Sequence, residues 1–142
     1  MAEPTSKGPP VPVVAGVIVD ATGRLLLAQR PTDKHLALKW EFPGGKVEPG
    51  ESPQAALTRE LREELAVGIT DLQPLPRFHH DYGRVVIEMI PFRCRLQDPS
   101  TAPHPHEHVA LAWVTLAECE SYDLAPADWP VVAALRASEN RQ

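Results

Sequence analysis

The residues best equipped for chemistry lie in one short stretch. Gly45 is followed by Glu51 six positions later, by Arg59 eight after that, and then by Glu60, Glu63 and Glu64. If the chain is helical there, at about 100° per residue, the last three glutamates fall within roughly a 100° arc along one edge of the helix. Three like charges so placed repel unless something neutralises them. Converging carboxylate oxygens suit a hard cation such as Mg²⁺ or Mn²⁺, and that cation would in turn offset the charge of a polyphosphate. A solvated acidic helix face is the plainer reading of any charge run.

The elements around this stretch decide whether it can act as a site. Ser52 is a natural N-cap with Pro53 at the first helical position, and Leu57, Leu61 and Leu65 recur at four-residue spacing as a buried stripe. Upstream, the apolar β-branched run Val11 to Asp20, the turn Asp20-Ala21-Thr22-Gly23 and the run Arg24 to Gln29 together predict a hairpin, with Pro12 at an edge or strand end. A loop from Pro31 to Lys39 precedes Trp40-Glu41-Phe42-Pro43-Gly44-Gly45, which reads as a tight glycine turn. Strands are expected again over Arg84 to Leu96 and Ala110 to Thr115, and a helix over Ala127 to Ala137 with Pro130 in its first turn. This order of strands, helix, strands, helix predicts an α/β fold with helices packed on a mixed sheet. The first ten residues, with Pro4, Gly8, Pro9 and Pro10, read as a disordered tail, and residues 11–138 as a single domain.

Composition narrows the function. With 142 residues, 43% of them apolar, the chain matches one ordinary domain. A net charge of -5 argues against a duplex nucleic-acid surface, which draws on clustered Lys and Arg. No apolar run approaches the ~20 residues a membrane helix needs, and Met1-Ala2-Glu3-Pro4 lacks the order of a secretory signal, so the expectation is a cytoplasmic protein without a membrane partner. Cys94 and Cys119 read as reduced thiols. Prolines 103 and 105 place His104, His106 and His108 in an exposed loop, and with His79 and His80 they offer only a weak case for a transition-metal site.

The spacing from Gly45 through Glu51, Arg59, Glu60, Leu61, Glu63 and Glu64 to Val67 resembles the box of the Nudix hydrolases, MutT-like members in particular. The MutT-type similarity extends through Gln29-Arg30, Trp40 to Gly45 and Glu107 six residues before Trp113, and the stretches Glu107 to Trp113 and Leu124 to Asp128 also resemble CTP and 5-methyl-dCTP pyrophosphohydrolases. The resemblance implies the Nudix fold, an α/β/α sandwich with a central mixed β-sheet. It also implies Mg²⁺, with Mn²⁺ as substitute, held by the Gly44 carbonyl and by Glu60, Glu63, Glu64 and Glu107. Glu60 is the implied general base and Glu64 its rival; Gly45, Glu51 and Arg59 are structural, the last two as an ion pair. The implied reaction is hydrolysis of a nucleoside triphosphate to monophosphate and pyrophosphate, in sanitation of the nucleotide pool. ADP-ribose, dinucleoside polyphosphates and capped RNA ends are accessible to the same chemistry, and Tyr82 hints at the dinucleoside class. A binding module without catalysis is the other alternative, which an intact glutamate set argues against.

For the nucleotide, Arg30 is the expected phosphate or base contact, and Phe78, Tyr82 and Trp129 are candidate stacking groups. Asp128 stands where oxidised-guanine relatives carry asparagine. If ionised it only accepts hydrogen bonds, which favours a base presenting an amino group, such as cytosine; its alternative role is to cap the last helix. Monomer and homodimer both remain open. One position departs from the family pattern: Ala66 stands where the box has glycine, and the helix end is expected to shift toward Gly68 to spare Ala66 a left-handed conformation.

Overall fold

The computed structural model describes residues 8–140, so residues 1–7 of the expected tail lie outside the described residues. The eight-residue strand β1 (Val11–Ile18) organises the molecule. Its side chains alternate between two faces, and both faces are apolar, so both must be covered. Val14 and Ile18 face α1 (Pro53–Leu65), whose Leu57, Leu61 and Leu65 are fully buried against them. Ala15 and Val17 face the other way, into a second core completed by Val131, Val132 and Leu135 of α2 (Trp129–Asn140). Helices therefore cover both sides of a mixed sheet, giving the expected α/β/α layers.

Further strands are β2 (Leu25–Gln29), β3 (Trp40–Glu41), β4 (Gly44–Lys46), β5 (Ile69–Pro74), β6 (Phe78–Asp81), β7 (Val86–Leu96) and β8 (Ala110–Val114). One sheet runs β4-β1-β7-β5 with β6 also on β7, and its β1–β7 pair is parallel. The other sheet, β3-β2-β8, is antiparallel. Pro12 sits at the start of β1, as expected.

Three expectations change. The predicted hairpin does not form as a ladder: a single Val19–Leu25 bridge joins the ends of the two runs, and β1 and β2 belong to different sheets. Each strand has apolar side chains for two cores, and pairing with separate neighbours satisfies both. Strands β5 and β6 escape the pattern reading because their buried positions are few and β5 is interrupted by a bulge between Thr70 and Gln73, where Asp71 has φ 55°. The end of α1 does not shift toward Gly68. Ala66 itself takes the left-handed conformation (φ 57°, ψ 37°), and its N–H donates to the Arg62 carbonyl at 3.1 Å. That geometry costs on the order of 1 kcal/mol for a residue with a Cβ, tolerated because Leu65 and Val67 on either side are buried. The helix start is as read: Ser52 Oγ accepts from the Ala55 N–H at 3.1 Å, followed by Pro53.

Candidate active site

Gly44 and Gly45, expected as a tight turn, are strand instead, and they bring backbone and carboxylates together. Gly44 and Gly45 lie on β4 opposite Ala15 and Val14 of β1. A Cβ at Gly44 would collide with the Val14 carbonyl, and one at Gly45 would collide with the Glu60 carboxylate. Only glycine lets the β4 backbone pass this close to the helix edge.

Arg59 ties the end of β4 and the loop after it to the helix. Its Nε and Nη2 donate to the two oxygens of Glu51 at 2.8 and 3.0 Å, a bidentate pair, and Nη2 also reaches the Lys46 carbonyl at 3.2 Å. Its Nη1 donates to Glu60 at 3.2 Å and to Glu63 at 3.4 Å, so one guanidinium partly offsets two of the three helix carboxylates. The Arg59 hydrogen bonds, with the Glu48 N–H, hold the Glu51 carboxyl down at about 2. A depressed carboxyl stabilises the fold fully above its ordinary value and loses that contribution as pH falls through the folded value. Acid unfolding of the protein should therefore steepen between pH 4.5 and about 2, and Glu51→Gln should flatten it. Urea midpoints at pH 6 and pH 3 measure this; parallel losses in both proteins would refute the pairing.

A cavity of about 280 Å³ opens beside β4, lined by Gly44, Glu60, Glu64, Glu107, Lys34 and Arg30 among others. Glu64 is only 6% exposed, and its Oε1 is buried without a hydrogen-bond partner. Burial, then the adjoining Glu60, Glu41 and Glu107 carboxylates, push its carboxyl far above the usual range. Glu63 is not brought to this cavity; its side chain is 57% exposed and leans on Arg59. Among the described residues no three His, Cys, Asp or Glu side chains are gathered tightly enough to hold an ion as they stand. The donor set nevertheless fits a hard divalent cation: hard oxygen donors, a buried unpartnered oxygen, mutual repulsion and an adjacent glycine carbonyl.

A second cavity of about 300 Å³ shares Arg30, Glu41, Gly44 and Gly45 with the first and extends to Tyr82 and Asp128. The Tyr82 hydroxyl accepts from the Ala127 N–H at 3.1 Å. Phe78 is not brought to this cavity and packs against the core beside Met89; Trp129 is absent from its lining and partly exposed. Arg30 is held by two bonds, Nε to the His35 carbonyl at 2.7 Å and Nη1 to Glu41 at 3.0 Å. Asp128 is 4% exposed and accepts from the Phe42 N–H, while burial and the charge of Glu41 push its carboxyl well above the usual range. Burial thus favours its neutral form, in which a carboxyl donates through one oxygen and accepts through the other.

Sequence reasoning missed Glu41, His35, Leu36 and His108. His108 is the clearest correction, since its side chain is 5% exposed rather than out in solvent. The available signal was Glu41, a charged residue between two aromatics just before the paired glycines.

With this geometry in view, comparison with known proteins defines the class. The model of the NUDIX domain matches residues 9–135. The chain is 40% identical to the CTP pyrophosphohydrolase of Escherichia coli K12 over 87% of this chain and 90% of that protein. It is 28% identical to the 8-oxo-dGTP diphosphatase of the same organism, over 87% and 95%. Among solved structures, a MutT described for Aliivibrio salmonicida and Vibrio cholerae superposes with a TM-score of 0.71 at 31% identity, covering 92% of this chain and 99% of that one. The chain belongs to the Nudix family, among its MutT-like hydrolases. No helix among the described residues is long and apolar enough to cross a membrane.

Proposed function

We propose that the protein is a Mg²⁺-dependent pyrophosphohydrolase that converts nucleoside triphosphates to monophosphate and pyrophosphate, sanitising the nucleotide pool of cytosine-type or oxidised bases. The observation that carries this reading is the pairing of two joined cavities, one lined by carboxylates and cations, the other by Tyr82 and a buried Asp128. Mg²⁺, or Mn²⁺ in its place, would be held by the Gly44 carbonyl with Glu60, Glu64 and Glu107, and by Glu63 from the outer helix edge. When bound it supplies a lowered water pKa and shielding of phosphate charge. A water oxygen forms a bond to phosphorus, the bridging P–O bond breaks, and pyrophosphate leaves. Glu60 takes the water's proton, with Glu64 beside it as the rival acceptor. Arg30 and Lys34 face the phosphates from the cavity wall.

Burial favours the protonated form of Asp128, and in that form it selects the base. Its O–H and C=O complement an edge that sets a hydrogen-bond donor beside an acceptor. Cytosine does so with its N4 amine beside N3, and an 8-oxidised guanine with its N7–H beside O6, on an edge where unmodified guanine shows only acceptors. The CTP and 8-oxo-dGTP relatives support both choices. Asp128→Asn, which keeps one donor and one acceptor, should hold kcat/KM for CTP near its original value. Asp128→Leu should lower it about 10- to 100-fold, the loss expected when a base edge is left unpaired. An unchanged substrate ranking in the Leu variant would remove Asp128 from base recognition.

A further inference from the structure

Glu107 reaches the carboxylate cavity from an irregular segment between β7 and β8, where nothing regular fixes its position. On its N-terminal side the segment is pinned to the end of α1: the His104 N–H donates to the Leu65 carbonyl at 2.9 Å and the His106 N–H to the Glu64 carbonyl at 3.0 Å. On its C-terminal side the Val109 N–H donates to the Gln29 carbonyl at 3.0 Å. Glu107 thus sits between two anchored neighbours, the His106 backbone before it and the His108 side chain after it. His108 Nε2 lies 2.9 Å from Glu41 Oε2, with the side chain 5% exposed. A carboxylate only accepts, so the proton is on Nε2. Nδ1 is buried without a hydrogen-bond partner, which leaves the bond to Glu41 as the ring's polar tie. Glu41 is itself fixed, since its other oxygen accepts from Arg30 Nη1 at 3.0 Å. His108 therefore connects the Glu107 segment to the wall shared by both cavities.

We propose that His108 is a positioning residue for the cation site: by donating to Glu41 it holds Glu107 across the cavity from Glu64. This rests on the metal-dependent reading above, in which Glu107 is a ligand. A group that orients a ligand without touching the ion typically contributes about 10- to 100-fold in metal affinity.

The test contrasts two polar substitutions that differ in reach. In His108→Gln the side-chain amide nitrogen can occupy the place of Nε2 and still donate to Glu41; in His108→Asn it is too short. Mn²⁺ binding is measured without nucleotide, from the free-ion electron paramagnetic resonance signal, alongside the melting temperature of each protein. Affinity should fall at least about tenfold in His108→Asn and stay within a few-fold of the original in His108→Gln. If the Asn variant does not fold, His108→Met, apolar and of similar volume, serves as the donor-free variant. Unchanged affinity in the donor-free variant, or equal loss in both variants, overturns the proposal while leaving the metal reading standing. No Mn²⁺ binding by the unsubstituted protein would sink the metal reading and this inference with it.

Discussion

Glu60→Gln and Glu64→Gln should each keep the fold and lower kcat by about 10²- to 10⁴-fold, the range of a general base removed from a hydrolytic site. Neither change alters volume. Glu60 lies against Gly45 with Arg59 on its far side, and Glu64 lies deeper with one unpartnered oxygen. An amide in either place removes charge from the proposed cation site and can no longer accept the water's proton. Because the two carboxyls adjoin, their effects should not add: the double variant should be little slower than the worse single one. Steady-state rates with circular dichroism of the same preparations check this. Wild-type turnover in either variant would remove that residue from the reaction.

The second large effect is on stability, and its sign is the unusual one. A buried carboxyl crowded by Glu60, Glu41 and Glu107 is a cost to the metal-free fold. Glu64→Gln should therefore stabilise the protein in chelator by about 1–3 kcal/mol, because the amide removes the charge that burial and the neighbouring carboxylates oppose, and this raises the melting temperature by roughly 2–12 °C. Adding Mg²⁺ should reverse the ranking. The unsubstituted protein gains through binding linkage, which grows with the ratio of ion concentration to Kd, and the variant gains little. Calorimetry with and without Mg²⁺ measures both. A variant less stable than its parent in chelator would mean that Glu64 is satisfied in a way the structure does not display. Sites of function commonly carry such a cost, tolerated because the ligand offsets it.

How much of this was legible in the sequence depends on how local the information is. Helix α1 was readable to the residue at its start, because Ser52, Pro53 and the leucine stripe are local signals. Its end was not, because whether Ala66 adopts the left-handed conformation depends on the buried neighbours Leu65 and Val67. The β1 and β2 runs were visible as strands, yet their partners were not, since the parallel β1–β7 register joins residues more than seventy positions apart. The carboxylate cavity was largely foreseen for Gly44, Glu60, Glu64 and Glu107, which the structure brings together. Glu63 shares their helix edge in projection but leans outward onto Arg59. Glu41 and His108 were missed for the opposite reason: each looks ordinary alone, and only the packing of β3 against the segment before β8 makes them a buried pair.

The same locality applies to the second cavity. Phe78 and Tyr82 were both named from the sequence, yet the structure brings only Tyr82 to it, although they lie within five positions on or beside β6. Asp128 was singled out by position, while the upward push on its carboxyl comes from burial and from the charge of Glu41, neither of which a linear motif reveals.

The most direct test of the central claim is to follow the products of CTP by ³¹P NMR, with the protein first stripped by chelator and then given Mg²⁺. The account predicts no turnover before Mg²⁺ and, after it, CMP and pyrophosphate in equal amounts. CDP with orthophosphate, or hydrolysis that proceeds equally well in chelator, would contradict it.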